Sequence, residues 1–182
     1  MKELLKQYFL GILILLIFNS CASLKIAKQD NSSIVAISAT STGVLQKGYG
    51  IEIILQNIET HERFKSKSLS RASSHSVIQN IPQGKYFVYQ IMIPLGNMKY
   101  YNRSDNMRAF FGQIEIKANS KYYLGNFSGR RGVGRENVFI LRIDDPSIPE
   151  KLREKIEGGN AGWKEGEFIK LYPYNKEELI IY

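Results

Sequence analysis

Short stretches in which apolar and polar residues alternate fill most of the chain after its first thirty residues. In the stretch 49–56, for example, Ile51, Ile53 and Leu55 fall on one face, as in a half-buried strand. Within the predicted strand 85–93, residues 86–93 are apolar or aromatic on both faces apart from Gln90, which predicts a central strand that is covered on both sides. The other predicted strands are 34–40, 63–67, 76–81, 108–117, 121–128, 137–143 and 168–172.

The turns between these stretches predict how the strands are connected. Pro82 and Gly84, at the second and fourth positions of the turn 81–84, predict a hairpin, and the polar stretch 118–120 predicts another. The pattern therefore predicts a single antiparallel β-sandwich of about seven to eight strands.

One late α-helix is expected at about 147–157. Ser147 and Glu150 have the spacing of a capping box, and Ile148, Leu152 and Ile156 recur every four residues on one apolar stripe.

The start of the chain has a different pattern. A basic first segment precedes the apolar run 8–18, and the chain's single cysteine, Cys21, follows. This run is shorter than the roughly 20 apolar residues of a membrane span, so it predicts a secretory signal peptide. The residues before the cysteine, Phe18, Asn19 and Ser20, resemble the cleavage box of a bacterial lipoprotein, although Asn19 departs from the usual small residue.

That resemblance implies cleavage before Cys21 and a diacylglyceryl group on its thiol. It divides the chain into a signal peptide (1–20), a lipidated cysteine with a tether (21–33) and a β-sandwich domain (34–182). The alternative is an ordinary signal peptide with an accidental cysteine.

The chain is basic, with 25 Lys and Arg against 17 Asp and Glu. From Ala22 to Ile143 there are 17 basic against 7 acidic residues, a net of +10, whereas from Asp144 to Tyr182 there are 6 against 9, a net of −3. A basic body suits anionic lipid headgroups or acidic glycans, or serves solubility alone. Nucleic acid is not an expected partner of an exported chain.

A second resemblance concerns the domain. The run from Asn80 to Tyr86 resembles the Leu-Pro-Pro-Gly-x-Tyr turn of transthyretin-like and carboxypeptidase-regulatory-like β-sandwiches, and Asn57 to Thr60 is similar to the turn that precedes it there. The stretch 114–126 is also similar to a strand pair of small bacterial lipoproteins. The resemblance implies a sandwich and no catalytic residues.

Catalytic and metal-binding patterns are weak. His61, Glu62 and His75 could hold a metal, but their spacing does not make them converge. Asp144 and Asp145 could hold a cation, and the alternative is that they cap and terminate the elements beside Pro146. No motif pairs a serine with a histidine, and the lipid would occupy Cys21. We therefore predict no catalytic residue, no metal and no cofactor other than the covalent lipid.

Two regions suggest binding. Arg130, Arg131 and Arg135 lie in a glycine-rich stretch, 129–135, that we interpret as a loop able to hold phosphate or carboxylate. The alternative is a flexible connection that needs glycine.

A second region combines aromatic and basic residues and suits sugars or a protein partner: Tyr100, Tyr101, Arg103 and Arg108. Its alternative is a loop that buries its rings.

The prediction is thus a lipid-anchored bacterial envelope protein that acts as a non-catalytic binding or assembly module for an anionic component or another envelope protein. Ala22 stands where an inner-membrane retention signal has aspartate, which favours the outer membrane. A hydrolase or metal-dependent enzyme and a lipid carrier remain the alternatives.

Overall fold

A computed structural model describes the chain in ten parts: residues 26, 28–40, 50–95, 98–101, 104–131, 139–144, 147–158, 162–163, 166–171 and 179–181. These residues form two β-sheets and two helices. The elements are β1 (Ser32–Ala39), β2 (Glu52–Asn57), β3 (Arg63–Lys65), β4 (His75–Pro82), β5 (Gly84–Leu95), β6 (Met98–Tyr101), α1 (Ser104–Phe111), β7 (Ile114–Ile116), β8 (Lys121–Arg131), β9 (Phe139–Asp144), α2 (Glu150–Glu157), β10 (Phe168–Lys170) and β11 (Leu179–Ile181).

The first sheet has the strand order β11-β9-β8-β1-β4, with β10 paired to one end of β8. The second sheet has the order β3-β2-β5-β6, with β7 paired to the other end of β5. Apolar side chains of both sheets pack into one shared core, which includes Ile37 and Leu124 from the first sheet and Ile53, Leu55 and Val88 from the second. The fold is therefore mainly β, and its two sheets around a shared core are consistent with a β-sandwich.

The strand pairing differs from the prediction in two respects. The described residues contain eleven strands rather than about seven to eight, because several short edge strands carry no readable alternation. The first sheet is also mixed, since β8 pairs in parallel with both β1 and β10. The prediction of a purely antiparallel arrangement is wrong there, because alternation along one strand does not reveal the direction of its neighbour.

The turn at 82–84 connects the two sheets. It was predicted to close a hairpin, but β4 pairs with β1 in the first sheet and β5 pairs with β2 in the second. Gly84 has φ +153°, and a β-carbon there would lie 2.9 Å from Nδ2 of Asn57. The Tyr86 hydroxyl donates a hydrogen bond to the Pro82 carbonyl (2.8 Å), in the manner of a tyrosine corner. The glycine and the tyrosine thus hold the chain where it crosses between sheets.

The stretch 108–117, predicted as one strand, is a helix followed by a short strand. Met107, Phe110 and Phe111 have the i, i+3, i+4 spacing of a helix, and all three are buried in the shared core. The strand β7 then pairs with β5, whereas β8 belongs to the other sheet, so the hairpin predicted at 118–120 is also wrong.

The helix α2 covers the outer face of the first sheet. Its Leu152 and Ile156 are buried as predicted, in a second group that we call the outer cluster. The outer cluster consists of Ile26, Ile34, Ala36, Tyr123, Leu152, Ile156, Trp163 and Phe168. The predicted capping box is wrong, because the helix begins at Glu150 with Pro149 as its N-cap and without a side-chain capping hydrogen bond.

The predicted tether reaches into the fold. The strand β1 begins at Ser32, so Ser32 and Ser33 belong to the sheet rather than to the tether. Ile26 is buried in the outer cluster. Cys21 and the predicted signal peptide lie outside the described residues. Among the residues that are described, no helix is long and apolar enough to cross a membrane.

Candidate functional site

The helix α1 brings Arg108 to the outer face of the second sheet. The strands β6 and β7 pair with the two ends of β5, at Met92–Leu95 and Gly84–Tyr86, and α1 lies between them in the chain and contacts β5. The guanidinium carbon of Arg108 lies 4.0 Å from the centre of the Phe87 ring. Phe87 alternates with the core residues Tyr86 and Val88, so its ring points away from the shared core.

Arg63 occupies an equivalent position on Tyr89. Its guanidinium carbon lies 3.9 Å from the centre of the Tyr89 ring, and its Nε donates a hydrogen bond to Oε1 of Gln56 (3.2 Å). Gln56 is itself held, because its Nε2 lies 3.2 Å from Nδ1 of His61. The edge strand β3 and the buried Gln56 therefore fix Arg63 over the ring from two sides.

Together these residues form one continuous group, which we call the arginine–aromatic face: Arg63, Phe87, Tyr89 and Arg108. The Phe87 and Tyr89 ring centres are 6.2 Å apart and meet edge to face. Both arginines are exposed, and within the described part of the chain neither forms an ion pair. Stacking occupies a face of each guanidinium and leaves N–H groups at its edge, which suits carboxylate or phosphate oxygens.

Of the predicted partner-binding residues, the structure places only Arg108 in this site. Tyr100 and Tyr101 lie in β6, where they pair with Ile93 and Met92 of β5. Arg103 lies outside the described residues. The binding role of this region therefore stays a prediction, and the contact that the structure shows joins Arg108 to Phe87, a residue outside the predicted region.

The predicted arginine loop is partly a strand. Gly129, Arg130 and Arg131 continue β8 and pair with Leu141, Ile140 and Phe139 of β9, because glycine weakens a strand without excluding it. Arg130 is exposed on the outer side of the first sheet, the side that also carries Arg142. Arg135 lies outside the described residues, so the grouping of the three arginines stays a prediction.

The histidines do not form a metal site in the part of the chain that the structure describes, which contains no cluster of three potential ligands. His61 follows β2 of the second sheet, and His75 begins β4 of the first. The hydroxyl oxygen of the neighbouring Ser74 lies 2.7 Å from Nδ1 of the His75 ring. Whether the protein is an enzyme stays a matter of prediction.

Sequence reasoning missed Arg63, Phe87 and Tyr89 as parts of a site. It read Arg63 as a residue of a charged edge strand and the two rings as core of a central strand. The alternation of Tyr86 and Val88 with Phe87 and Tyr89 could have shown that two rings point outward, but only the strand register brings Arg63 beside them.

The chain matches no protein-family model, and no curated protein and no solved structure is similar enough to match it. The function is therefore argued from this chain's own residues.

Proposed function

We propose that this protein is a lipid-anchored, non-catalytic binding module of the bacterial envelope, built as a β-sandwich, and that it holds an anionic partner on the arginine–aromatic face. The observation that carries the proposal is the pair of exposed arginines stacked on adjacent aromatic rings. The anchor rests on the resemblance of the segment around Cys21 to a lipoprotein signal.

The stacking supports recognition because it orients the two guanidiniums in advance. A free arginine loses up to about 2 kcal/mol of rotamer freedom when it is fixed, and a side chain that is already held on a ring loses less of it on binding. Gln56 adds to this effect at Arg63, where it accepts a hydrogen bond from Nε. The terminal nitrogens of Arg63 then remain to form the fork that pairs with a carboxylate.

The charge of the surroundings favours the same class of partner. The nearby pair of Lys65 with Glu52 is internally neutralised at 2.6 Å, whereas Arg63 and Arg108 have no acidic partner among the described residues. A guanidinium group covers one face of each of the two rings, so direct stacking of a sugar on the rings is disfavoured. The fit is to carboxylate or phosphate groups presented by an envelope polymer, lipid or protein.

The test measures binding of the purified full chain to two soluble anionic polymers, the carboxylate polymer polygalacturonate and inorganic polyphosphate. The Arg63→Gln/Arg108→Gln variant should lose about tenfold or more in affinity for at least one of the two, since a loss of only 1.4 kcal/mol has this effect. Binding of the wild type should weaken as salt increases.

Two controls separate a site from diffuse attraction. Arg63→Lys/Arg108→Lys preserves the net charge but removes the planar fork, and should bind nearly as weakly as the glutamine variant. Lys117→Gln/Lys155→Gln removes two exposed charges elsewhere and should bind like the wild type. If the lysine variant binds like the wild type, or neither probe binds, the arginine–aromatic face is not the binding site.

A further inference from the structure

The chain is attached to the domain well before its first strand begins. Ile26 is 3% exposed and packs in the outer cluster. The Lys28 ammonium lies 5.4 Å from the centre of the Trp163 ring. The Lys28 Cβ packs against Gly162 so closely that a β-carbon at Gly162 would collide with it. A turn then follows in which the amide and hydroxyl of Ser32 both donate to the Gln29 carbonyl, at 3.2 and 2.9 Å. We call Ile26 together with residues 28–32 the docked segment.

The docked segment leaves a short connection to the predicted anchor. Cys21 is five residues before Ile26 in the sequence. Five residues span at most about 18 Å when fully extended, and about 12 Å as a flexible coil. A compact domain of about 150 residues has a radius of gyration of about 15 Å and therefore a diameter of about 38 Å, which is wider than either distance. The connection is thus too short to let every side of the domain meet the membrane.

We infer that the covered outer face of the first sheet, around Ile26, Lys28 and Trp163, lies against the bilayer surface, and that the arginine–aromatic face points away from it. The inference rests on the proposed lipid at Cys21, and it adds the orientation and the membrane-facing surface. The two faces are on opposite sides of the shared core, because the outer cluster and the Phe87–Tyr89 pair each lie on the side of their sheet that faces away from it. An anchor beside one face therefore leaves the other open to a partner.

The membrane-facing side carries charged side chains of both signs. Lys28, Arg153 and Lys170 are accompanied by the exposed Glu154 and Glu167. Mixed charges give little net attraction to an anionic bilayer, so the short connection rather than electrostatics sets the orientation. The orientation should then persist in neutral lipid and at high salt, unlike binding at the arginine–aromatic face.

Trp163 provides the test, because it is the only tryptophan in the chain. The full chain is purified from cell membranes and reconstituted in bilayers whose headgroups carry a dansyl acceptor, and energy transfer from tryptophan is measured. The matched variant is Trp163→Phe/Tyr89→Trp, which moves the donor to the opposite outer face. Transfer from position 163 should exceed transfer from position 89 at least about twofold, because the two donors are separated by more than the roughly 10 Å between packed sheets.

A second pair of proteins carries an insertion of about 20 Gly and Ser residues between Ala22 and Ser23, which makes the connection longer than the domain. The difference between the two donor positions should disappear there. Equal transfer from both positions in the uninserted proteins overturns the inference, and so does a difference that survives the insertion.

Incorporation of labelled fatty acid, measured on the same preparations and on Cys21→Ser, separates the inference from the function on which it rests. Label in the wild type that is absent from the variant supports the anchor. Equal labelling of both contradicts the anchor, and the orientation with it. A labelled wild type with equal transfer from the two positions contradicts the orientation alone.

Discussion

Lys121 on the outer face of the first sheet and two arginines on the outer face of the second sheet all lie over aromatic rings, but they differ in burial and in pairing. On the first sheet, Lys121 lies 4.9 Å from the Phe168 ring, is 2% exposed and pairs with Glu157 at 2.7 Å. On the second sheet, Arg63 and Arg108 also lie over aromatic rings, but they are exposed and form no ion pair in the described part of the chain. A cation over a ring contributes to the fold where it is neutralised and enclosed, and it is available for binding where it is neither. The comparison connects the first face with stability, and it agrees with the binding role that we propose for the second.

The largest effect that follows from this comparison is the loss of the Trp163 side chain. Trp163 is 2% exposed and packs in the outer cluster. Trp163→Ala should destabilise the protein by about 3–5 kcal/mol, because it removes a buried aromatic ring and leaves a cavity. Chemical denaturation, followed by circular dichroism because the variant has no tryptophan, measures the change. A loss below about 1 kcal/mol, the level of a surface substitution, would mean that this face is not a packed layer.

A smaller effect distinguishes the enclosed cation from the exposed ones. Lys121 Nζ donates to Glu157 Oε1 and to the Trp163 carbonyl (3.0 Å), so Lys121→Met leaves a partly buried carboxylate and a carbonyl without that donor. We expect a loss of about 1–3 kcal/mol in the free energy of unfolding. Arg63→Met is the matched control from the open face, and it should change stability by less than about 0.5 kcal/mol, as exposed substitutions usually do.

The double variant Lys121→Met/Glu157→Met sharpens the assignment. Once no unpaired charge remains, much of the lost stability should return, because an apolar pair of similar volume often replaces a buried ion pair without cost. Equal losses for Lys121→Met and Arg63→Met would remove the distinction between the two faces.

The sequence predicted the strands better than their partners. The core faces of β2 and β5 could be read from Ile53 and Leu55 and from the apolar run that begins at Tyr86, since alternation is a local property. The connections at 82–84 and 118–120 could not, because a turn has similar residues whether it joins two strands of one sheet or crosses to the other. The strand prediction for 108–117 was wrong because Phe110, Gly112, Ile114 and Ile116 alternate, although Met107, Phe110 and Phe111 fit a helix equally well.

The sequence could predict the type of candidate site but not its location. Aromatic residues lie beside Arg108 in the sequence, but its ring partner Phe87 is twenty-one residues away. Arg63 and Tyr89 are joined only through β2, which pairs with β3 on one side and with β5 on the other. A local pattern carries no information about such pairing, so the site could be located only once the register was known.

The smallest expected effect concerns Tyr86, which lies in the shared core between the two outer faces and belongs to neither of them. Burial raises the pKa of its hydroxyl above the usual value near 10, with a further contribution from the charge of Glu62 and an opposing one from a hydrogen bond with Asn57. Because the folded state holds this proton more tightly than the unfolded state, the resulting stability is present below pH 10 and is lost as the pH rises through the folded-state pKa. Tyr86→Phe should cost about 1 kcal/mol at neutral pH, through the lost bond to the Pro82 carbonyl, and the wild type should approach the variant's stability above pH 10. Unfolding measured from pH 8 to 11 in both proteins checks this, and parallel curves over that range would show that Tyr86 does not contribute to the alkaline loss.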